Sequence, residues 1–541
     1  MMIRNFISKL YSLYTPSFFM SGGGSAGGYL IERSLRFSSD SSQYLTRTFG
    51  TALSGQTLTV SMWVKRGNLG TRQILFGASN GVDTSFGIEF SSANQLDFYT
   101  YYTAYKARKL TNQVFRDPSA WIHIVCIQDT TNVVAEDRFR IFINGERVTS
   151  FAASVNPALN QTLTSASFTT VNIGREAGTA SGLLDGYLAE FLVVNTQALS
   201  STSFGEINQT TGQWVAKKYT GTYGTNGFYL DFKDGTSTTT LGHDKSGNNN
   251  HWTLTNFTRS AGVNDCWMLD VPAGNGSASA VQPSGNYAVL NPLDSSATTL
   301  SRGNLAVNTT GAGSKVKGSI GMSSGKWYWE VIGCDNLFGL CSAIETTSSV
   351  LGTSATGFGY IANGNKFTNN TQSAYGASWT TTDVMGVEFD ADNGTLTFYK
   401  NNVSQGVAFT GLTSGPYFVA ITTTALTHFN FGQRSFAYTP PTGFKAPCTA
   451  NLTSTDVIES GSFTGNASAD GRHVWCNGTP ETLTINGNAV TWRTHADRLA
   501  NGFKLRTSSS SYNSSGTNTW TATILSPESK SAFKHQNAKG N

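Results

Sequence analysis

The chain is 541 residues long, 12% aromatic and only 13% charged, with a net charge of +4. That length exceeds one hydrophobic core and leaves room for several domains, and its charged fraction is about half the roughly 25% usual for globular proteins. Thinly spread charge with no basic block excludes a phosphate-neutralising nucleic-acid surface, and no run of about 18 apolar residues offers a membrane-spanning helix.

At the N-terminus Ile3, Phe6, Ile7, Leu10, Leu13 and Tyr14 recur at helical spacing, and Pro16 ends the run. A secretory signal is the alternative, but Ser8 and Lys9 interrupt the apolar stretch it would need. The spacing predicts a short amphipathic docking helix whose contacts are Ile3, Phe6, Ile7, Leu10 and Leu13. Residues 21–28 are almost all glycine and serine and read as a flexible tether, so 1–28 is an attachment segment.

From Tyr29 the pattern changes to strands and turns. Residues 58–64 alternate apolar and polar side chains, as a half-buried strand does, and 121–127 form a second, more apolar run. Residues 138–148 predict a hairpin that turns at Asn144-Gly145, a pair suited to two positive-φ positions. Another long strand is expected over 185–194. Trp121 and His123, the Ile141–Gly145 stretch and Gly186 to Val194 follow the order and spacing of the laminin-G/concanavalin-A-like family. Residues 29–205 resemble that family, which implies a two-sheet jelly roll of a kind shared by many carbohydrate binders.

Residues 206–285 read as a β-rich connecting segment. Strands are expected around Tyr229 to Phe232 and Trp252 to Leu254, flanking an Asn-rich turn from His243 to His251, and the Gly/Ser/Ala run at 274–280 reads as a linker. In the turn, Asp244 with Ser246, Asn248 and Asn249 offers several oxygens of the sort Ca²⁺ takes, and laminin-G-like modules often hold calcium. The alternative is an Asx-stabilised turn with no ion. Asp244 and Asn248 are therefore the candidate calcium ligands, and no cofactor is otherwise expected.

Farther on, Gly325-Lys326-Trp327-Tyr328-Trp329-Glu330-Val331 puts Trp327 and Trp329 on one strand face, where they can fill the gap of about 10 Å between two sheets. Residues 384–390 and 395–400 then form a hairpin over Asp392-Asn393-Gly394. With Gly357-Phe358-Gly359-Tyr360 and residues 415–420, these segments resemble a SPRY domain, bounded at 286–447. Strand-like pieces at 482–485 and 520–525, with a hairpin turn expected at Asn486-Gly487, predict a small β-rich unit over 448–541 with a frayed tail. The predicted fold is all-β: tandem antiparallel β-sandwiches, a jelly roll and then a SPRY-type sandwich, with a short N-terminal helix and the small C-terminal unit.

Chemistry is sparse. The six cysteines show no metal-binding spacing, and Cys126 sits in an apolar strand as a small core residue. Glycosidases need paired carboxylates, and the best candidates in the first sandwich are Asp185 and Glu190. Their separation is odd, so a regular strand points them to opposite faces unless a bulge intervenes. Glu388 and Asp390 share a face, but Asp390 opens a turn. His123 is expected to be packed or hydrogen-bonded rather than a base. There is no nucleophile elbow, P-loop or dinucleotide fingerprint. No catalytic residue is assigned, and the chain is expected not to be an enzyme.

Candidate sugar-binding aromatics are Tyr99, Tyr101 and Tyr102, and also Tyr375 with Trp379 beside Asn369 and Asn370. The tyrosine run has a second reading as a strand packed between subunits. The whole arrangement, a peg and tether followed by a laminin-G-like and a SPRY sandwich, resembles bacteriophage tail or appendage proteins. That resemblance implies a non-enzymatic virion component, either a tail fibre or a receptor-binding protein, made in the host cytoplasm. Its N-terminus would meet other tail proteins, and its sandwiches would meet a host-surface glycan or protein. A homo-oligomer, a trimer first, would supply avidity. The alternatives are a decoration or adaptor protein that binds only virion components, and a surface-polysaccharide depolymerase.

Overall fold

The computed structural model describes residues 29–525 except 180, 209–213, 273–280, 296–298, 309–312, 453–456, 470, 477, 493 and 500–501. The predicted docking helix, with Ile3, Phe6, Ile7, Leu10 and Leu13, lies outside the described residues, as do the tether and the 274–280 run. What is described is almost entirely antiparallel β-structure, and the α-helices among it are the single turns Thr238–Leu241 and Ser510–Asn513.

Two eight-stranded sheets face each other in the first sandwich. One runs Glu146–Arg147, Phe139–Ile143, Trp121–Asp129, Thr57–Arg66, Gly186–Asn195, Ser34–Phe37, Trp267–Met268, with Phe228–Leu230 also paired to Gly186–Asn195. The opposing sheet is built around Ala104–Val114, Gln95–Tyr102, Thr84–Phe90 and Gln73–Ser79, and Thr253–Thr255 closes its far edge against Tyr44–Thr48. Leu35, Met62, Ile124, Cys126, Leu188 and Phe191 are buried between the sheets. Asn144 and Gly145 take φ of 48° and 81°, making the expected tight hairpin.

The stretch 206–285, expected to connect the sandwiches, instead completes the first one. Phe228–Leu230, Thr253–Thr255 and Trp267–Met268 are hydrogen-bonded into its two sheets. Pattern reading missed this because strands of two or three residues are too short to show a period.

The second sandwich has two seven-stranded sheets. Trp327, Trp329 and Val331 point together into its core, opposite Phe389, Val387 and Met385 in register. A smaller third unit pairs Val457–Thr464, Thr517–Leu525 and Thr479–Ile485, and a separate sheet joins His473–Trp475 to Gly502–Leu505 and Ala496–Leu499. Asn486 and Gly487 (φ 50° and 76°) turn a hairpin there.

The sandwiches are fused rather than strung out. Trp63, Trp121 and Tyr187 leave the outer face of the first sandwich and join one continuous apolar cluster with Tyr287, Val289 and the core of the second. Inside this seam Lys65 is fully buried and donates to Asp270 Oδ2 (2.7 Å), Asn286 Oδ1 (2.7 Å) and the Tyr287 carbonyl (2.9 Å). Trp121 Nε1 donates to the other oxygen of Asp270 (2.9 Å). The third unit is tied on by the Arg116–Asp497 ion pair and by Trp475, which packs edge-on against Phe418.

Candidate ligand-binding cleft beside Glu190

Glu190 lies in the central strand Gly186–Asn195, where register slips between Ala189 and Leu192 against Thr57–Arg66. Glu190 is the extra residue of this bulge, with φ at 49°, a left-handed conformation that costs an ordinary side chain about 1 kcal/mol or more. The bulge turns the carboxyl out of the sandwich core while Leu188, Phe191 and Val193 continue to face it.

Tyr29 and Tyr229 both donate to Glu190 Oε2, at 2.9 and 2.7 Å, and their own oxygens lie 2.6 Å apart. Burial, above all, raises the Glu190 carboxyl from its ordinary 4.5 to about 8, with Asp231 adding to the rise and the two phenols opposing it. The shift favours the protonated carboxylic acid at this site.

Phe228–Leu230 pairs beside the bulge and carries Tyr229, whose backbone is held from behind by the Asn-rich turn. Asp244 Oδ1 accepts from the amides of Tyr229 and Ser246, both at 2.8 Å. Its Oδ2 accepts from Ser246 Oγ (2.8 Å) and the Asn250 amide (2.9 Å). Asn248 turns its Nδ2 to the carbonyls of Gly224 and Gly227. Four donors already occupy the Asp244 carboxylate, so these residues do not fit the calcium expectation. They form an Asx turn that positions Tyr229.

Around Glu190 opens a cleft of about 430 Å³. Tyr29, Tyr219, Tyr223 and Tyr229 supply aromatic wall, Lys218, Lys245 and Asp231 supply polar rim, and Lys233 pairs with Glu32 at the edge (2.5 Å). Tyr219 meets Tyr223 edge-on at 5.0 Å, and Tyr223 stacks parallel to Tyr229 at 6.4 Å. Tyr29 and Tyr219 are half-buried, and such rings beside amines can stack on an apolar sugar face while the rim exchanges hydrogen bonds with its hydroxyls; Tyr223, Tyr229 and Glu190 lie buried behind them.

The other sequence candidates fall elsewhere. Asp185 does not join Glu190. It is buried under the second sandwich and accepts from the amides of Gly303 (2.7 Å), Arg302 (3.0 Å) and Ser39 (3.3 Å), with its acidity weakened by burial to about 6. Tyr99 is only 6% exposed, its hydroxyl between Arg72 and Glu89, so it belongs to a buried polar network. Tyr101 bonds the Thr103 carbonyl and packs edge-on against Tyr105. Tyr102 alone of the run is half exposed, and it lines a separate groove with Lys106, Asn80 and Phe168. Trp379 is in the second core against Phe338 (5.2 Å), and Tyr375 sits 5.1 Å from Tyr360 with its hydroxyl on the Gly406 carbonyl. Rings that pack and rings that face solvent come from the same Asn/Tyr-rich composition, which is why sequence did not separate them.

His123 is buried as expected. Trp214 Nε1 donates to its Nδ1 (2.9 Å), leaving Nε2 to carry the proton towards Ser61 Oγ (2.9 Å), so the imidazole cannot accept that hydroxyl's proton. Asp390 is occupied by Asn393 and Lys326, and Glu388 accepts from Tyr399. All six cysteines are buried. Sequence reasoning missed Tyr29, Tyr219, Tyr223 and Tyr229. The available signal was the recurrence of tyrosines at 219, 223 and 229 beside Lys218 in a chain otherwise poor in charge.

Comparison with known proteins agrees with this geometry at the level of domains. Residues 38–203 match the concanavalin A-like lectin/glucanases superfamily, and residues 326–434 match the SPRY domain. Among curated proteins, the ATP-dependent RNA helicases DDX1 of Xenopus laevis and of Drosophila melanogaster are each 35% identical over 133 residues. That match takes in 23% of this chain and 18% of each helicase. Of solved structures, the SPRY domain of human HERC1 is 19% identical, with a TM-score of 0.23 over 26% of this chain and 96% of its own. A SAP-like pentraxin from Limulus polyphemus is 16% identical, with a TM-score of 0.24 over 31% and 78%. The chain thus carries a concanavalin A-like domain at 38–203 and a SPRY domain at 326–434.

Proposed function

We propose that the protein is a non-enzymatic attachment protein that holds a surface glycan in the cleft beside Glu190. The observation that carries this reading is four tyrosines, a carboxyl whose acidity burial weakens, and a lysine–aspartate rim converging on one cleft of a lectin-type sandwich. The finer reading is a phage tail fibre or tail-associated receptor-binding protein, docked to other tail proteins through Ile3, Phe6, Ile7, Leu10 and Leu13 and trimeric for avidity. It is supported by the order of peg, tether and two sandwiches in the sequence.

Glycan-array and host-cell binding of the full chain test it. Tyr219→Ala, at a half-buried cleft position, is expected to weaken binding about tenfold, equivalent to ~1.4 kcal/mol, with an unchanged melting temperature. Binding that survives both Tyr219→Ala and Lys218→Ala would move the ligand elsewhere. Retention on purified virions with no host or glycan binding would favour the adaptor role.

A second reading has one observation in its favour. Glu190, its acidity weakened by burial, shares the cleft with Asp231, and glycosidases work with a pair of carboxyls. Release of reducing ends from capsular polysaccharide, abolished by Glu190→Gln, would establish the depolymerase. No release with intact binding leaves the lectin-like role.

A further inference from the structure

A second groove of the first sandwich shares no residue with the Glu190 cleft. It opens at the tip of the hairpin formed by Gln95–Tyr102 and Ala104–Val114, where Thr103 turns with φ at 55°. Side chains alternate along Gln95–Tyr102, so Tyr102 shares the face of Phe98, which is buried in the core. Tyr102 therefore continues the core-facing side of its strand past the end of the core, and it is 50% exposed. Thr84 lies opposite it in register. The facing wall is the turn Thr164–Ser167 with Phe168. Thr164 Oγ1 donates to the Ser85 carbonyl (2.8 Å), and Phe168 packs on Phe86 with ring centroids 6.0 Å apart, so this wall is fixed to the strand beside that of Tyr102. The space between the walls is about 520 Å³, within the roughly 300–1,000 Å³ that small-ligand sites occupy.

The polar groups around that space are not spent on the fold. Lys106 is half-buried with Nζ 5.7 Å from the centre of the Tyr102 ring, and among the described residues it has no carboxylate partner. No aspartate or glutamate lines the groove. Asp83, in the turn before Thr84, gives its Oδ1 to Asn80 Nδ2 (2.8 Å) and Thr84 Oγ1 (2.9 Å). Gln161 uses Oε1 to accept from the Ala158 amide (2.8 Å), which leaves Nε2 for a ligand. The hydroxyls of Tyr102 and Ser167 bond to none of the described residues, whereas those of Tyr99 and Tyr101 are both engaged. One uncompensated cation beside an open ring suits a ligand that offers both an apolar face and a negative charge.

We propose that this groove is a second carbohydrate site and that it takes an acidic sugar, a hexuronic acid unit. The C–H face of the pyranose lies on the Tyr102 ring, and Lys106 pairs with the carboxylate. Gln161 Nε2 and Ser167 Oγ, on the facing wall, take sugar hydroxyls. With no acid on the lining, a uronate meets no like charge there. The site stands whether or not the Glu190 cleft binds glycan.

Saturation-transfer NMR titrations of the full chain with methyl β-D-glucuronide and methyl β-D-glucoside test it, because the two probes differ only in the carboxylate. The glucuronide is expected to bind about three- to fivefold more tightly, and raising the salt to about 1 M should erase that difference. Lys106→Gln should make the two probes equal. Tyr102→Ala should weaken both about tenfold at an unchanged melting temperature. Tyr219→Ala, in the other cleft, should change neither. Equal affinity of the native chain for the two glycosides, or no binding of the glucuronide, would overturn the proposal. So would glucuronide binding that Tyr219→Ala removes and Tyr102→Ala leaves intact.

Discussion

At the scale of single residues, the side chains that matter most are those whose protonation is set by burial. Glu190 has a folded value of about 8 against an ordinary 4.5, so between those values the folded chain keeps a proton that the unfolded chain releases. Stability from this group is therefore full below about 4.5 and falls as pH rises to about 8, by up to ~1.4 kcal/mol per pH unit. Glu190→Gln should flatten that slope in urea titrations run from pH 5 to pH 8, and an unchanged slope would assign the carboxyl an ordinary acidity. His123 works in the opposite direction. Burial pushes it down to about 3 from 6.5, so its contribution is present above 6.5 and is lost as pH falls towards 3. Trp214→Phe removes the donor to Nδ1 and should destabilise the fold by roughly 1–3 kcal/mol, read by chemical denaturation. The sequence placed His123 in a core strand correctly, but Trp214, 91 residues away, could not be foreseen as its partner.

Elements differ in how plainly the chain declares them. Hairpins at Asn144-Gly145 and Asn486-Gly487 were legible because two consecutive positive-φ residues favour Asn and Gly. The Trp327/Trp329 strand was legible because alternate bulky rings have one natural place, the gap between sheets. The bulge at Glu190 was not, because a one-residue slip in register leaves no mark in an otherwise apolar run. That slip decides the candidate site: it turns Glu190 out of the core and aims it at Tyr29 and Tyr229. One hairpin also carries more than its own turn. A Cβ on Gly145 would lie 2.4 Å from the Trp214 ring, and φ there is 81°. Gly145→Ala should therefore cost roughly 2 kcal/mol or more, through backbone strain and displacement of Trp214 together. Thermal melts would show it, and a loss below about 0.5 kcal/mol would mean the ring moves aside freely.

For the molecule as a whole, the domain types were readable and their union was not. Each sandwich has its own periodic strands, whereas the seam depends on Lys65, Asp270 and Trp121, which no local pattern connects. Breaking the Lys65–Asp270 pair by Lys65→Met should cost about 3–5 kcal/mol, because it leaves Asp270 buried and uncompensated. Asp270→Leu added to Lys65→Met should recover much of that loss. Calorimetry of the native chain should show the two sandwiches melting in one transition, since they share a core. Two well-separated transitions would contradict that.

Trp267–Met268 pairs with Ser34–Phe37 at one edge of the first sandwich, and Asp270 follows two residues later. On the ribosome this order imposes a wait. Ser34–Phe37 emerges early, yet its outer edge has no partner until the chain has grown past Met268, and Lys65 has no counter-charge until Asp270 appears. Through that interval the nascent sandwich exposes an unpaired β-edge, the kind of surface that invites pairing with neighbouring chains. Fragments ending near residue 205 should accordingly accumulate as aggregates, so chaperone occupancy during synthesis is expected to fall only after the last strand of the first sandwich has been made.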